Sequence, residues 1–242
     1  MVSGTATAAN NTTEIITSGP SGIGGNGESY YSDISEDGNI ITFRSSATDL
    51  IPGITTTGQQ IFTYDRTTQT TTLITSGSSG IGGNHASTWP SISGDGNIIT
   101  FQSWATDLIP GITTDSYQIF AYDRTTQTTT LITTGTSGTG GNNLSIRPVI
   151  SNQGNVITFE SRATDLVPNL TTNGVRQIFA FILREDPDDG DHNSDPESVP
   201  EVQATTFATK TIGMQNTGIP LVGIVLAFLM VIGGFVSTRK KQ

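Results

Sequence analysis

Two histidines, His85 and His192, are the only imidazoles in the 242-residue chain. General acid–base or imidazole-metal chemistry would have to rest on them. His85 stands in a Gly-rich stretch and His192 in an acidic one. No G-x-S-x-G elbow accompanies either, so a Ser-His-Asp hydrolase gains no support. A literal G-x-G-x-x-G stands at Gly22, Gly24 and Gly27. A dinucleotide site would need a helix N-terminus directly after it. No apolar i, i+3, i+4 series follows, so a plain loop is expected. The run "DPDDGDHNSD" from Asp186 is rich in hard oxygen ligands. Its Gly190 comes one residue too early for a D-x-[DN]-x-[DN]-G calcium loop, and a solvated spacer is expected. Trp89 and Trp104 each stand in one unit alone and are expected to pack in the core or at its rim. Cysteine is absent, which excludes disulfides and thiolate chemistry. With a formal net charge of −10 and few clustered Lys or Arg residues, the chain is a poor nucleic-acid binder. No catalytic, cofactor or metal residue is assigned, no cofactor is expected, and the chain is expected not to be an enzyme.

The elements that would hold these residues come as repeats. "YDRTTQTTTLIT" occurs twice, beginning at Tyr64 and at Tyr122. "DGNIITF" begins at Asp37 and Asp95, with "QGNVITF" at Gln153; "ATDLIPGITT" begins at Ala47 and Ala105, with "ATDLVPNLTT" at Ala163. Three units of about 58 residues result, over about 29–76, 87–134 and 145–183. The first two read as four short strands, such as "YYSDIS", "NIITFRS", "QIFTYDR" and "TTTLITS", and the third as the first three of these. Asp-Gly between the first two strands predicts a type I′ hairpin with positive φ at both central residues. The recurring Asp49, Asp107 and Asp165 of "TDL" are expected to cap turn N–H groups. The pair Asp65–Arg66 recurs as Asp123–Arg124 but becomes Ile182–Leu183 in the third unit, so no ring of these charges is complete. In "NIITF", Ile40 and Thr42 point one way and Ile41 and Phe43 the other. A lone sheet cannot bury two apolar faces, whereas stacked sheets can. The fold class is therefore all-β, with three four-stranded propeller-type blades.

"SISGDGNIITFQSWATDLIPG", followed by "YQIFAYDRTTQTTTLIT", resembles the TolB-like class of β-propeller repeats, which is related to WD repeats. The resemblance covers residues 12–183 and implies a propeller, but no particular activity, since propellers host many. Its phase is offset. Residues 12–18 match a fourth strand, and the third unit ends without one. Strand 12–18 is expected to complete the last blade. Propellers have four to eight blades, so a three-bladed ring would be very tight. A homodimer, or a longer parent with more blades, is expected in preference to it.

Beyond the repeats the composition changes. Residues 1–11 form an N-terminal tail. Its "ATAANN" resembles the end of a signal peptide but lacks a charged and an apolar region before it. Residues 184–212 read as an acidic disordered linker. Residues 213–238 read as a transmembrane helix, and a helix over 218–238 would span roughly 30 Å. The basic tail 239–242, with Arg239, Lys240 and Lys241, sets the C-terminus in the cytoplasm and the repeats outside. "MQNTG" from Met214, the apolar stretch and the basic tail are similar to anchors of adhesin-like surface proteins of methanogenic archaea. Sequons stand at Asn10, Asn11, Asn143 and Asn169. The function expected is a non-enzymatic, membrane-anchored cell-surface module for binding, adhesion or envelope structure, with a surface protein or glycan as partner. The competing expectation is an extracytoplasmic hydrolase or carbohydrate-processing enzyme using propeller loops.

Overall fold

A computed structural model of the protein describes residues 12–113, 115–170 and 172–183. The N-terminal tail, the acidic linker, the span and the basic tail, with Asn10, Asn11, His192, Arg239, Lys240 and Lys241, lie outside the described residues. No helix among the described residues is long and apolar enough to cross a membrane.

The first sheet has the order β1-β2-β3-β4, from Ser29–Ile34, Ile40–Ser45, Gln60–Asp65 and Thr70–Leu73. The second has the order β5-β6-β7-β8, from Ser87–Ile92, Ile98–Ser103, Gln118–Asp123 and Thr128–Leu131. The third has three strands, β9 (Ser145–Ile150), β10 (Val156–Ser161) and β11 (Gln177–Ile182). All pairs are antiparallel, and the register repeats: Phe43 faces Phe62, Phe101 faces Phe120, and Phe159 faces Phe179. β-Branched and aromatic residues dominate these strands because they suit a pleated surface packed on both sides.

The Asp-Gly hairpins depart from the type I′ turn expected. Gly38 has φ 72° and Gly96 has φ 73°, but neither Asp37 nor Asp95 is left-handed. Gly38 N–H donates to the Ser35 carbonyl at 2.9 Å, which makes a type I turn ending on a left-handed glycine. The Asp side chain explains the difference. Asp37 accepts from Ser35 Oγ at 2.6 Å, Asn39 N at 2.9 Å and Asn39 Nδ2 at 2.7 Å. The Ser35 and Asn39 hydrogen bonds hold its carboxyl below the usual range. At Asp95 burial pushes upward, but the bonds from Ser93 and Asn97 outweigh it and the carboxyl is again lowered.

The sheets pack face to face. Ile40, Ile61 and Ile74 of the first meet Ile92, Ile99 and Phe101 of the second. Ile119 and Ile132 of the second meet Ile150, Ile157 and Phe159 of the third. The first strands lie side by side. Ser91 Oγ and Ile92 N–H both donate to Asp33 Oδ2, at 3.1 and 3.0 Å. The hairpin tips also join: Glu36 N–H donates to Gly94 O, Gly94 N–H to Asn152 O, and Asn152 Nδ2 to Glu36 Oε2. Sheets joined along their first strands in this way are propeller blades.

Residues 12–18 do not complete the third sheet. Their neighbours are in the first blade, where Ile16 packs against the cluster of Phe43, Ala47, Leu50 and Phe62. Gly25 N–H donates to Thr17 O at 2.8 Å, as Gly83 does to Thr75 and Gly141 to Thr133. The segment thus sits where a preceding blade's fourth strand would sit. Local contacts with the loop that follows it hold it there.

Candidate functional site

Each first strand carries a bulge at the same place. Pairing slips between Tyr30 and Asp33 in β1 and between Thr88 and Ser91 in β5; β9 slips opposite Thr158 and Glu160. The bulged residues Tyr31, Trp89 and Arg147 each have φ of 54°. That left-handed conformation costs a residue with a Cβ roughly 1–2 kcal/mol. Bulky side chains held there point to a functional constraint.

The three side chains make one row. The Tyr31 and Trp89 rings stack at 4.4 Å with 23° between planes. The Arg147 guanidinium lies 5.5 Å from the Trp89 ring centre, and that of Arg44 lies 5.1 Å from Tyr31 and 4.7 Å from Tyr30. Tyr31 is 45% exposed and Trp89 36%. The ring stack contributes about 0.5–1.5 kcal/mol, and each exposed cation–π contact about 0.5–1 kcal/mol.

Behind the row stands a second set of equivalent positions, Arg44, Gln102 and Glu160, on β2, β6 and β10. Gln102 Oε1 accepts the Arg147 N–H at 2.7 Å and steadies that bulge. Glu160 accepts from Arg147 at 3.2 Å and from Arg176 at 3.1 Å. Besides the two tyrosine rings, Arg44 hydrogen-bonds the neutral amide of Gln59, at 3.2 Å, and among the described residues it makes no ion pair. Arg44 Nε and Thr88 Oγ1 are buried without a hydrogen-bond partner. Such atoms in a native structure call for an explanation. The arrangement offers partly exposed ring edges with a guanidinium at either end.

The expected candidates fall elsewhere. Of the core or rim positions expected for it, Trp89 takes the rim, at the centre of the row. Trp104 is 44% exposed and lies between His85, at 5.5 Å, and Tyr117, at 6.2 Å. Asp49, Asp107 and Asp165 accept N–H groups of Asn26, Asn84 and Asn142 at 2.9–3.0 Å, as expected of loop caps. Asp65 and Asp123 cap the turns after them, and Arg66 and Arg124 donate to Gly38 O and Gly96 O. Strand β1, not a helix, follows Gly22, Gly24 and Gly27. Asn143 and Asn169 are exposed. Tyr31, Arg147, Arg44, Gln102 and Glu160 escaped the reading of motifs. For Arg44, Gln102 and Glu160 the signal was present as residues that differ between units inside strands otherwise nearly copied; Tyr31 and Arg147 stand in first strands that vary at most positions and gave no such signal.

No model of a known protein family matches the sequence, and no curated protein matches it. The fold is similar to that of several solved structures. TolB from Acinetobacter baumannii is 20% identical with a TM-score of 0.43, over 71% of this chain and 33% of that one. The tricorn protease is 16% identical with a TM-score of 0.42, over 64% and 13%. The β-propeller domain of the Trilobed protease from Pyrococcus furiosus is 12% identical with a TM-score of 0.40, over 64% and 39%. The chain thus spans well under half the length of each. The TolB-like resemblance in the sequence has its counterpart at the level of the all-β propeller sheets. The likeness to archaeal surface anchors has none. The expectation that the chain is not an enzyme is withdrawn: two of these three structures are of proteases or a protease domain by name, and a propeller by itself implies no particular activity. The architecture gives no ground for excluding catalysis.

Proposed function

We propose that the chain is a β-propeller binding module, displayed outside the cell on a C-terminal span, that takes an acidic glycan across the row Tyr31–Trp89–Arg147. The observation carrying this reading is the row itself: three equivalent bulges, each holding a bulky left-handed residue, stacked into one exposed surface. The C–H groups of a sugar ring suit apolar contact with the exposed edges of the Tyr31 and Trp89 rings. Its carboxylate or sulfate suits a guanidinium, which pairs planar anions through two parallel N–H bonds. Arg44, whose hydrogen bond goes to a neutral amide and which makes no ion pair among the described residues, is the group placed to receive it.

The test is binding of the full chain, in detergent, to an array of acidic and neutral glycans. Trp89→Gly relieves the left-handed strain while removing the ring. Stability is therefore expected to stay within about 1 kcal/mol, the strain and the stack being similar in size, while acidic-glycan binding is lost. Equal binding by the variant, or a preference for neutral glycans, would sink the reading.

Display outside the cell rests on the apolar run 213–238 and on Arg239, Lys240 and Lys241 after it. Protease added to intact cells is expected to remove the repeats and spare a tag at the C-terminus. Protection of the repeats would count against it. Asn143 and Asn169, exposed on that surface, are the proposed glycosylation positions within the repeats.

A further inference from the structure

The first blade leaves open a face that is covered in the second and third blades. A cavity of about 510 Å³ lies against it, lined by Ile16, Thr17, Tyr30, Tyr31, Ile34 and Phe43 among others. Ile34 is 51% exposed, whereas its equivalents Ile92 and Ile150 are 6% and 7% exposed. In the second and third blades this space is filled by the preceding blade: Ile40, Ile61 and Ile74 pack on Ile92, and Ile119 and Ile132 pack on Ile150.

The third blade has the opposite defect. Ile178 is 56% exposed, whereas its equivalents Ile61 and Ile119 are fully buried. Thr158 is exposed where Thr42 and Thr100 are buried, and Gln177 is exposed where Gln60 and Gln118 are buried. Gln60 and Gln118 are locks. Gln60 Oε1 accepts from Thr75 Oγ1 at 2.6 Å and Gly83 N at 3.2 Å, and its Nε2 donates to Gly83 O at 3.0 Å. Gln118 does the same with Thr133 and Gly141. The threonine hydroxyl in turn accepts the N–H of Ile61 or Ile119. The half-lock that fits Gln177 exists in this chain. Thr17 and Gly25 stand at the positions of Thr75 and Gly83 and already make the same Gly N–H to Thr O bond. They are held against the first blade, away from the third sheet.

We propose that two copies of the chain close on each other head to tail. Residues 12–18 of each copy become the fourth strand of the other's third blade. Ile178 of one copy then fills the cavity beside Ile34 of the other, in the place Ile61 takes beside Ile92. Gln177 locks onto Thr17 and Gly25, and Ile178 N–H donates to Thr17 Oγ1. Three blades from each copy make six, within the range over which propellers close. The edge of β11, which would otherwise invite indiscriminate strand pairing, is covered. The occupant is a second copy because the two faces match each other in the register of the internal interfaces.

Engineered disulfides decide the matter, since the chain has no cysteine of its own. In the first sheet Phe62 pairs with Leu73, so Gln60 and Thr75 extend that ladder as a directly opposed pair, within disulfide reach. Gln177 and Thr17 are the corresponding pair between copies. Full chains in detergent carrying Thr17→Cys or Gln177→Cys are mixed and oxidised. A covalent dimer is expected from the mixture and from neither variant alone. The Gln60→Cys, Thr75→Cys double variant is expected to bridge within one chain and so reports that oxidation works. A Thr17→Cys, Gln177→Cys double variant that bridges within a single chain would overturn the proposal in favour of a three-bladed ring. No bridge at all, with the control formed, would overturn it as well. Sedimentation of the unmodified chain should give twice the chain mass, and Ile178→Asp should return it to one. A stable monomer at micromolar concentration would defeat the idea.

Discussion

Phe120→Ala is expected to lose about 3–5 kcal/mol of stability, among the largest losses for a single side chain here. Phe120 is 1% exposed and stacks on Phe101 at 5.8 Å, with 13° between planes. It belongs to the cluster joining Ile40, Ile61 and Ile74 of the first blade to Ile92 and Ile99 of the second. Truncation removes the transfer term for a whole ring and leaves a cavity whose walls come from two sheets. Those walls cannot relax independently, because their registers are fixed by backbone ladders. The stack adds its own part, about 0.5–1.5 kcal/mol. Urea unfolding followed by tryptophan emission is the measurement, since Trp89 and Trp104 both lie in the second unit. A loss below about 1 kcal/mol would mean that the two blades are not coupled through this cluster.

Gln118→Ala should cost about 2–4 kcal/mol, although it removes a polar group. The side chain is fully buried and answers five partners: Thr133 Oγ1 and Gly141 N at its oxygen, and Gly141 O, Asn143 O and Ser116 Oγ at its nitrogen. Removing it strands the hydroxyl and backbone groups that met it, each with a desolvation penalty of about 1–3 kcal/mol. Water entering the vacated space would recover part of this, hence the lower total. The same unfolding experiment reads the loss. Gln118→Glu offers a sharper check: its carboxylate can still accept from Thr133 and Gly141, but it cannot donate to the three oxygens. It should therefore also be destabilised at neutral pH and recover as the carboxyl is protonated. Wild-type stability for either variant would show that the lock is not a structural element.

Much of the fold was legible because its signals are local and repeated three times. The strands at Ile40, Ile98 and Val156 are written by alternation, and their phase by Asp-Gly or Gln-Gly. The loop role of Asp49, Asp107 and Asp165 was legible for the same reason, since an Asx cap is made with residues nearby in the fold of one blade. The hairpin type was not. Whether Asp37 turns left-handed depends on the bonds it accepts from Ser35 and Asn39, and dipeptide preference does not include that competition. For Trp89 the core and the rim were both expected, and the structure puts it at the rim. A bulge places it with φ of 54° and turns it toward Tyr31.

The sequence by itself determined three repeated all-β units, their strand order, and an offset of phase that leaves residues 12–18 and the third unit as halves of one blade. Periodicity and turn chemistry suffice for that, because they act over a few residues. Only the tertiary structure decided that Tyr31, Trp89 and Arg147, 58 residues apart, form one surface, since the juxtaposition comes from sheet-on-sheet packing. The tertiary structure also decided that residues 12–18 lie against the first blade and leave Gln177 exposed. A strand's own sequence specifies that it will pair, but the choice among equivalent edges depends on which face is within reach once the sheets have packed.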